Sequence, residues 1–274
     1  MDRKTVKVVE IGPRDGFQSI REPIPTDYKI KVIDGLAAAG YQKIQCTSFV
    51  SPTAIPQLAD AAQVTRTSLE RHPDVDFFAL VPNYRGAQGA IEAGLKEICP
   101  VISLSVSHNQ NNVRRTHEES IQEIARMRQD FPDVKITQDI ATVFGCPFEG
   151  RMEIPPLLDL MGKFHDLGIR AFTLCDTIGV SYPQQVKAVL AATKKAFPDC
   201  ELNIHIHDTR NMGVLNSYTA LLCGADSVQA SIGGLGGCPF APGATGNTSS
   251  EDLIYMLHQE GYDTGINFKA LLTL

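Results

Sequence analysis

The chain has 274 residues, 20% of them charged and 43% hydrophobic, and carries a net charge of −6. That balance describes a folded protein long enough for one α/β barrel. It disfavours a nucleic-acid partner, because no basic run exceeds two residues, and no apolar run is long enough to span a bilayer.

Apolar patterning alternates strand and helix from end to end. Residues 6–11 read as a first strand. Residues 28–39 read as a helix, with Ile30, Val32, Ile33, Leu36 and Ala37 at helical spacing. The unit then repeats as strand 43–48 with helix 51–69, strand 76–81 with helix 84–93, and strand 97–104 with helix 117–129. It continues as 134–138 with 154–167, 171–174 with 182–197, 202–205 with 212–223, and 227–231 with 250–260. About eight βα units with short connections predict a single-domain (β/α)8 TIM barrel over residues 1–274. An open doubly wound sheet is the rival. The turn after its first strand usually carries GxGxxG, and here that turn reads Gly12-Pro13-Arg14-Asp15-Gly16.

The seven cysteines are odd in number and form no CxxC pair, so reduced thiols are expected rather than a disulfide framework. The N-terminus runs into an apolar strand without a secretory apolar region, and a reducing cytoplasm is the expected location.

Barrel active sites lie at the C-terminal ends of the strands. The polar candidates gather on that rim. Arg14 and Asp15 follow strand one, and Gln45, Thr47 and Ser48 end strand two. Asp176 and Thr177 follow strand six, and His205 and His207 end strand seven. Cys238 and Asn247 lie in the long segment after strand eight. Two histidines two residues apart on a strand face one side and can grip one metal ion. With Asp15 and Asn247 they offer two oxygens and two nitrogens, a set that suits Mg2+ or Mn2+. The plainer alternative is a pair of buried, hydrogen-bonded histidines.

Arg14 could hold a carbonyl oxygen or a developing enolate, or could make an ordinary rim salt bridge. Cys238 stands in Gly233-Gly234-Leu235-Gly236-Gly237-Cys238-Pro239, where glycines allow close backbone approach. Its thiol could be an acid, base or nucleophile, although a lone cysteine is more often packing. Asp176 could be a base, could order a metal shell, or could cap a helix. The polar stretch 105–112 reads as a substrate loop or a plain solvated one. His72, His165 and His258 receive no role.

Several of these segments together resemble 3-hydroxy-3-methylglutaryl-CoA (HMG-CoA) lyases. The matching pieces are Glu10-Ile11-Gly12-Pro13-Arg14-Asp15-Gly16-Phe17-Gln18, Thr47-Ser48-Phe49-Val50-Ser51-Pro52 and Gly145-Cys146-Pro147. Asp176-Thr177-Ile178-Gly179-Val180, His205-Ile206-His207-Asp208-Thr209, Gly233 to Pro239, and Gly246-Asn247 with Glu251-Asp252-Leu253 complete the set. The resemblance implies a metal-dependent TIM-barrel lyase that cleaves its acyl-CoA substrate to acetyl-CoA and acetoacetate. By resemblance Asp15, His205, His207 and Asn247 hold Mg2+ or Mn2+. Arg14 stabilises the enolate, Cys238 takes part in proton transfer, and Asp176 and His205 assist. Gln18, Gln45, Ser48 and Thr177 are assigned to substrate contact.

Three departures stand out. Gln45 occupies the place of a family glutamate expected to pair with Arg14; it can accept a hydrogen bond but brings no charge. Asn211 stands where bacterial relatives tend to have glycine. Family members usually continue into another helix beyond the position of Leu274. A related 3-hydroxyacyl-CoA substrate, or a weakly catalytic CoA- or metal-binding role, therefore stays open. A homodimer through apolar helix faces on the barrel exterior is a further expectation.

Overall fold

In the computed structural model the described residues are 4–237 and 246–274. Eight parallel strands close in sequence order: β1 Lys7–Glu10, β2 Lys43–Ser48, β3 Asp76–Val81, β4 Glu97–Ser103, β5 Lys135–Ala141, β6 Ala171–Asp176, β7 Glu201–Ile206 and β8 Ser227–Ala230. Closure is made by β1 on β8, with Lys7 opposite Ser227 and Glu10 opposite Ala230. The ring removes both sheet edges and gives every strand two partners. The expected barrel is the observed one.

The helices are α1 Thr26–Ala38, α2 Ala61–Arg71, α3 Tyr84–Glu92, α4 Val106–Val113, α5 His117–Asp130, α6 Ile154–Asp166, α7 Pro183–Ala196, α8 Gly213–Leu222, α9 Ser250–Gln259 and α10 Phe268–Leu271. Their starts follow local chemistry. Thr116 and Glu119 form a capping box at α5, and Pro183 opens α7 where its missing N–H leaves no bond unmade. The main core lies between the helices and the outside of the sheet, around Ile33, Leu36, Ile44, Ile98, Phe164, Phe172 and Leu253.

The barrel interior is mixed. Val9, Ile11, Phe78 and Cys99 form a small apolar cluster there. Near the N-terminal ends of the strands, Lys43 meets Glu97 at 2.7 Å, and Thr137 donates to the same carboxylate at 2.7 Å. This ionic plug closes one end and leaves the C-terminal end for chemistry.

Three elements differ from expectation. The helix expected over 51–69 begins only at Ala61. Pro52 and Pro56 lack N–H groups, so the chain turns through Ser51–Ile55 and a 3₁₀ turn, Pro56–Leu58, before the helix starts. The polar stretch 105–112 is not a loop but most of α4. Ser105 caps it by accepting from His108 N at 2.9 Å, and Glu149 accepts from Ser107 N at 2.8 Å. Strand β5 runs to Ala141 rather than ending at Gln138, which brings Asp139 into the sheet.

Candidate active site

The segment Gly12–Gly16 is a single π-helical turn, in which Asp15 N donates to Ile11 O at 2.8 Å. This turn carries Arg14 and Asp15, both buried, over the mouth of the barrel. The Arg14 guanidinium donates through one terminal nitrogen to Asp15 and through Nε to Gln45 Oε1 at 2.5 Å. Across the mouth, His205 and His207 place their ring centroids 4.9 Å apart. Asn247 is brought to His207 by a short antiparallel bridge, with Thr248 N donating to Ile206 O at 3.2 Å.

One ligand atom each from Asp15, His205 and His207 lies within 4.8 Å of the others. Asn247 Nδ2 donates to Asp15 Oδ2 at 2.6 Å and to Leu235 O at 2.9 Å. Nδ1 of both histidines and Oδ1 of Asn247 are buried and accept no hydrogen bond from described residues. Buried polar atoms almost always have partners, so three unpartnered polar atoms beside a carboxylate fit a cation cradle.

The electrostatics agree. Burial alone would raise the Asp15 carboxyl, but Arg14, His207, His205 and Asn247 together hold it down at about 2. Burial, reinforced by His207, depresses His205 to about 3 against the pull of Asp15. Burial likewise lowers His207. The site therefore presents one carboxylate and two neutral imidazoles at neutral pH, the protonation state that binds metal.

Above the cradle lies a cavity of about 540 Å3. Arg14, Asp15, Gln18, Thr177, His205 and His207 line it, as expected of the rim residues. Gln45, Ser48, Asp176 and Asn247 stand behind that lining and are buried. Gln45 reaches the site through Arg14, and Asn247 through Asp15. The Asp176 carboxylate accepts from the loop that follows it: Oδ1 from Val180 N at 3.0 Å and Oδ2 from Ser181 N at 2.8 Å. These bonds brace the loop after β6. Cys238 lies outside the described residues; Gly237, before it in the chain, lines the cavity.

The outer wall takes in His108 and Asn112 from the polar stretch 105–112, while Val50 to Ile55, Arg114 and Arg115 carried no expectation there. Val50, Ser51, Ala54 and Ile55 line it together with Asn83, His108, Asn112, Arg114 and Arg115. The proline spacing at 52 and 56 and the Ser105 cap were the signals that could have revealed both segments. A second cluster, His165, Asp199 and Cys200, lies near the start of β7, but Arg170 already pairs with Asp199 at 2.9 Å and the carboxylate is exposed. A smaller hollow, about 370 Å3, is lined by Lys135, Arg170 and Glu201 at the opposite end of the barrel.

Comparison with known proteins agrees with this geometry. The HMGL-like family model matches residues 5–274. The hydroxymethylglutaryl-CoA lyase YngG of Bacillus subtilis (strain 168) is 39% identical over 272 residues, covering 98% of this chain and 91% of that protein. The crystal structure of the B. subtilis HMG-CoA lyase superposes with a TM-score of 0.94 at 39% identity, covering 100% of this chain and 92% of that one. An HMG-CoA lyase from Acinetobacter baumannii, solved in complex with coenzyme A and 3-methylmalate, gives 0.93 at 38% identity over 98% of this chain and 88% of that one. A barrel that shares its whole length and more than a third of its residues with carbon–carbon lyases is no chance likeness, and the chain belongs to the HMGL-like family of hydroxymethylglutaryl-CoA lyases.

Proposed function

We infer that this protein is a divalent-metal-dependent lyase that cleaves HMG-CoA to acetyl-CoA and acetoacetate. The observation that carries the reading is the buried cluster of Asp15, His205 and His207 beside Arg14, each offering one ligand atom within 4.8 Å of the others, with Asn247 bonded to Asp15. Asp15, His205, His207 and Asn247 would hold Mg2+ or Mn2+. When bound, such a cation supplies Lewis acidity toward hydroxyl and carbonyl oxygens of the substrate.

The remaining steps belong to this chain. Retro-aldol cleavage removes the tertiary hydroxyl proton and breaks the adjacent carbon–carbon bond. The electron pair passes to the thioester side as an enolate, which takes a proton and leaves as acetyl-CoA. Arg14 faces the cavity and offers N–H donors to the thioester oxygen, where negative charge grows as the bond breaks. Gln45 fixes the plane of that guanidinium through Nε. Gln18 and Thr177 line the cavity and orient the acyl group, with Ser48 behind them. Cys238, one residue beyond the cavity lining, moves the proton through its Sγ to the enolate carbon. His205 serves as a ligand and assists the proton steps, standing in the cluster with Asp15 and His207.

The outer wall suits coenzyme A. Val50, Ala54 and Ile55 offer apolar surface to the pantetheine arm, and Arg114 offers positive charge to its phosphates. The A. baumannii relative supports this, having been solved with coenzyme A. Exposed Leu215 and Leu222 on α8 provide an apolar face for a homodimer. The described cysteines are all free, in keeping with a cytoplasmic enzyme. None of the described helices is long and apolar enough to cross a membrane.

The test is a substrate panel. HMG-CoA and 3-hydroxyacyl-CoAs with other side chains are incubated with protein and Mg2+, and the released acyl-CoA and keto acid are identified. Cleavage of HMG-CoA at the highest kcat/KM supports the reading. A higher value for another side chain would assign the enzyme to that substrate, the outcome the neutral Gln45 would favour.

A further inference from the structure

Thr142 holds a backbone conformation that its side chain opposes. It stands directly after β5, fully buried, with φ at +61°. A β-branched residue at positive φ is a steric outlier, and glycine is the usual occupant of that region. Such a residue persists only where its surroundings hold it, and such positions cluster at functional sites.

The surroundings here are the two neighbouring strand ends. Thr142 Oγ1 accepts from Ser105 N, after β4, at 3.2 Å. Thr142 N donates to Thr177 Oγ1, after β6, at 2.8 Å. Val143 N goes to the same side and donates to Cys175 O at 3.1 Å. Successive N–H groups of a regular strand point to opposite sides. The left-handed turn at Thr142 breaks that alternation, so two N–H groups in a row reach β6 and its loop. One buried residue is thereby bonded to the chain on both sides of it, at the catalytic rim.

The consequence falls on Thr177, which lines the cavity, as does Ala141 just before Thr142. A hydroxyl has two acceptor lone pairs and one proton to donate. The Thr142 N–H occupies one lone pair of Thr177 Oγ1, and the Thr177 proton meets no acceptor among the described residues. We propose that Thr142 is a positioning residue that fixes the Thr177 hydroxyl as a hydrogen-bond donor to an oxygen of the bound acyl group. Thr142 itself does not line the cavity and touches no substrate. The inference rests on the lyase reading and on Thr177 as a substrate contact within it.

Two measurements test it. The first needs no substrate: hydrogen exchange at the Thr142 amide, followed by NMR. Protection should persist in Thr177→Ser, which keeps the acceptor, and fall by about tenfold or more in Thr177→Val, which removes it. Unchanged protection in Thr177→Val overturns the proposal. The second is a double-variant cycle on kcat/KM for the acyl-CoA that the protein cleaves. Thr142→Val keeps the branched shape and loses the hydroxyl that accepts from Ser105 N. It should lower kcat/KM by about fivefold or more, with Thr142→Ser close to the parent and Mn2+ affinity within about twofold in both. In a Thr177→Val background the same Thr142→Val change should have no further effect, because it acts through a hydroxyl already removed. Damaged packing at position 142 would add to the loss instead. Additive losses, or parental kcat/KM in Thr142→Val, overturn the proposal. A Thr142 amide that responds to Thr177→Val in a protein that cleaves no acyl-CoA would sink the lyase reading and leave the bond standing. An active enzyme whose Thr142 amide ignores Thr177→Val would keep the lyase and sink the positioning role.

Discussion

Gly236 sets how closely the segment after β8 can lie over the cation cradle. Its φ is +131°, a value side chains rarely adopt, and an added Cβ would overlap Asn247 Nδ2 and come within 3.0 Å of Asp15 Oδ2. Gly236→Ala should therefore weaken Mn2+ binding by about tenfold or more, with a fall in melting temperature of only a few degrees. Calorimetric titration of Mn2+ checks it, and unchanged affinity would show that this approach does not shape the cradle. Arg14 behaves differently, since it binds no metal. Arg14→Ala should lower kcat by about a hundredfold, as expected for loss of a donor to developing charge, and leave Mn2+ affinity nearly unchanged. Equal loss of both would place Arg14 among the groups that build the metal site. Asp15, His205, His207 and Asn247 were legible in the sequence, because strand periodicity and rim position put them together. The place of Asp139 in the sheet was not. The polar stretch Thr137-Gln138-Asp139 reads as the end of a strand, yet β5 continues to Ala141, because barrel strands can carry polar residues inward.

At the scale of elements, the turn after β1 and the start of the glycine-rich segment are tied to one side chain. Glu10, fully buried, accepts from Gly12 N at 2.8 Å and Ile232 N at 2.9 Å through Oε1, and from Ser250 Oγ at 2.6 Å through Oε2. Burial raises its pKa from 4.5 to about 7, with the hydrogen bonds opposing. The unfolded chain then releases the Glu10 proton first as pH rises. Stability from this group is full below about 4.5 and is lost on the way up to about 7. At 1.36 kcal/mol per pKa unit the loss is about 3 kcal/mol. Glu10→Gln keeps the acceptor for both N–H groups and should flatten that part of the stability–pH curve, measured by urea unfolding from pH 4.5 to 7. An unchanged slope would mean that another group sets it. Helix α4 shows why some elements escaped sequence reading. It has no long apolar stripe, and its formation depends on Ser105 and on Glu149, which lies more than forty residues away in sequence.

For the whole molecule, the cradle joins parts of the chain that are far apart: Asp15 after β1, two histidines at the end of β7, and Asn247 after β8. These are the elements on either side of the ring closure between β1 and β8. A cation held there links the two ends of the sheet, so its binding adds to global stability. At a hundred times Kd the gain is about 2.7 kcal/mol, which for a chain of this size raises the melting temperature by a few degrees. His207→Ala should abolish that rise while keeping the fold, and a rise that survives the substitution would place the cation elsewhere. The barrel itself was legible from alternating apolar runs alone, since each strand–helix unit repeats the same burial problem. The cavity wall was less so, because loop paths depend on caps and prolines rather than on periodicity.

The most direct measurement is a titration of metal-free protein with Mn2+ while acetoacetate release from HMG-CoA is followed. Activity should rise from near zero and saturate at one equivalent per chain, with acetyl-CoA formed in equal amount, and should stay near zero in His207→Ala. Full cleavage by the metal-free protein, or saturation unaffected by loss of His207, would contradict the account.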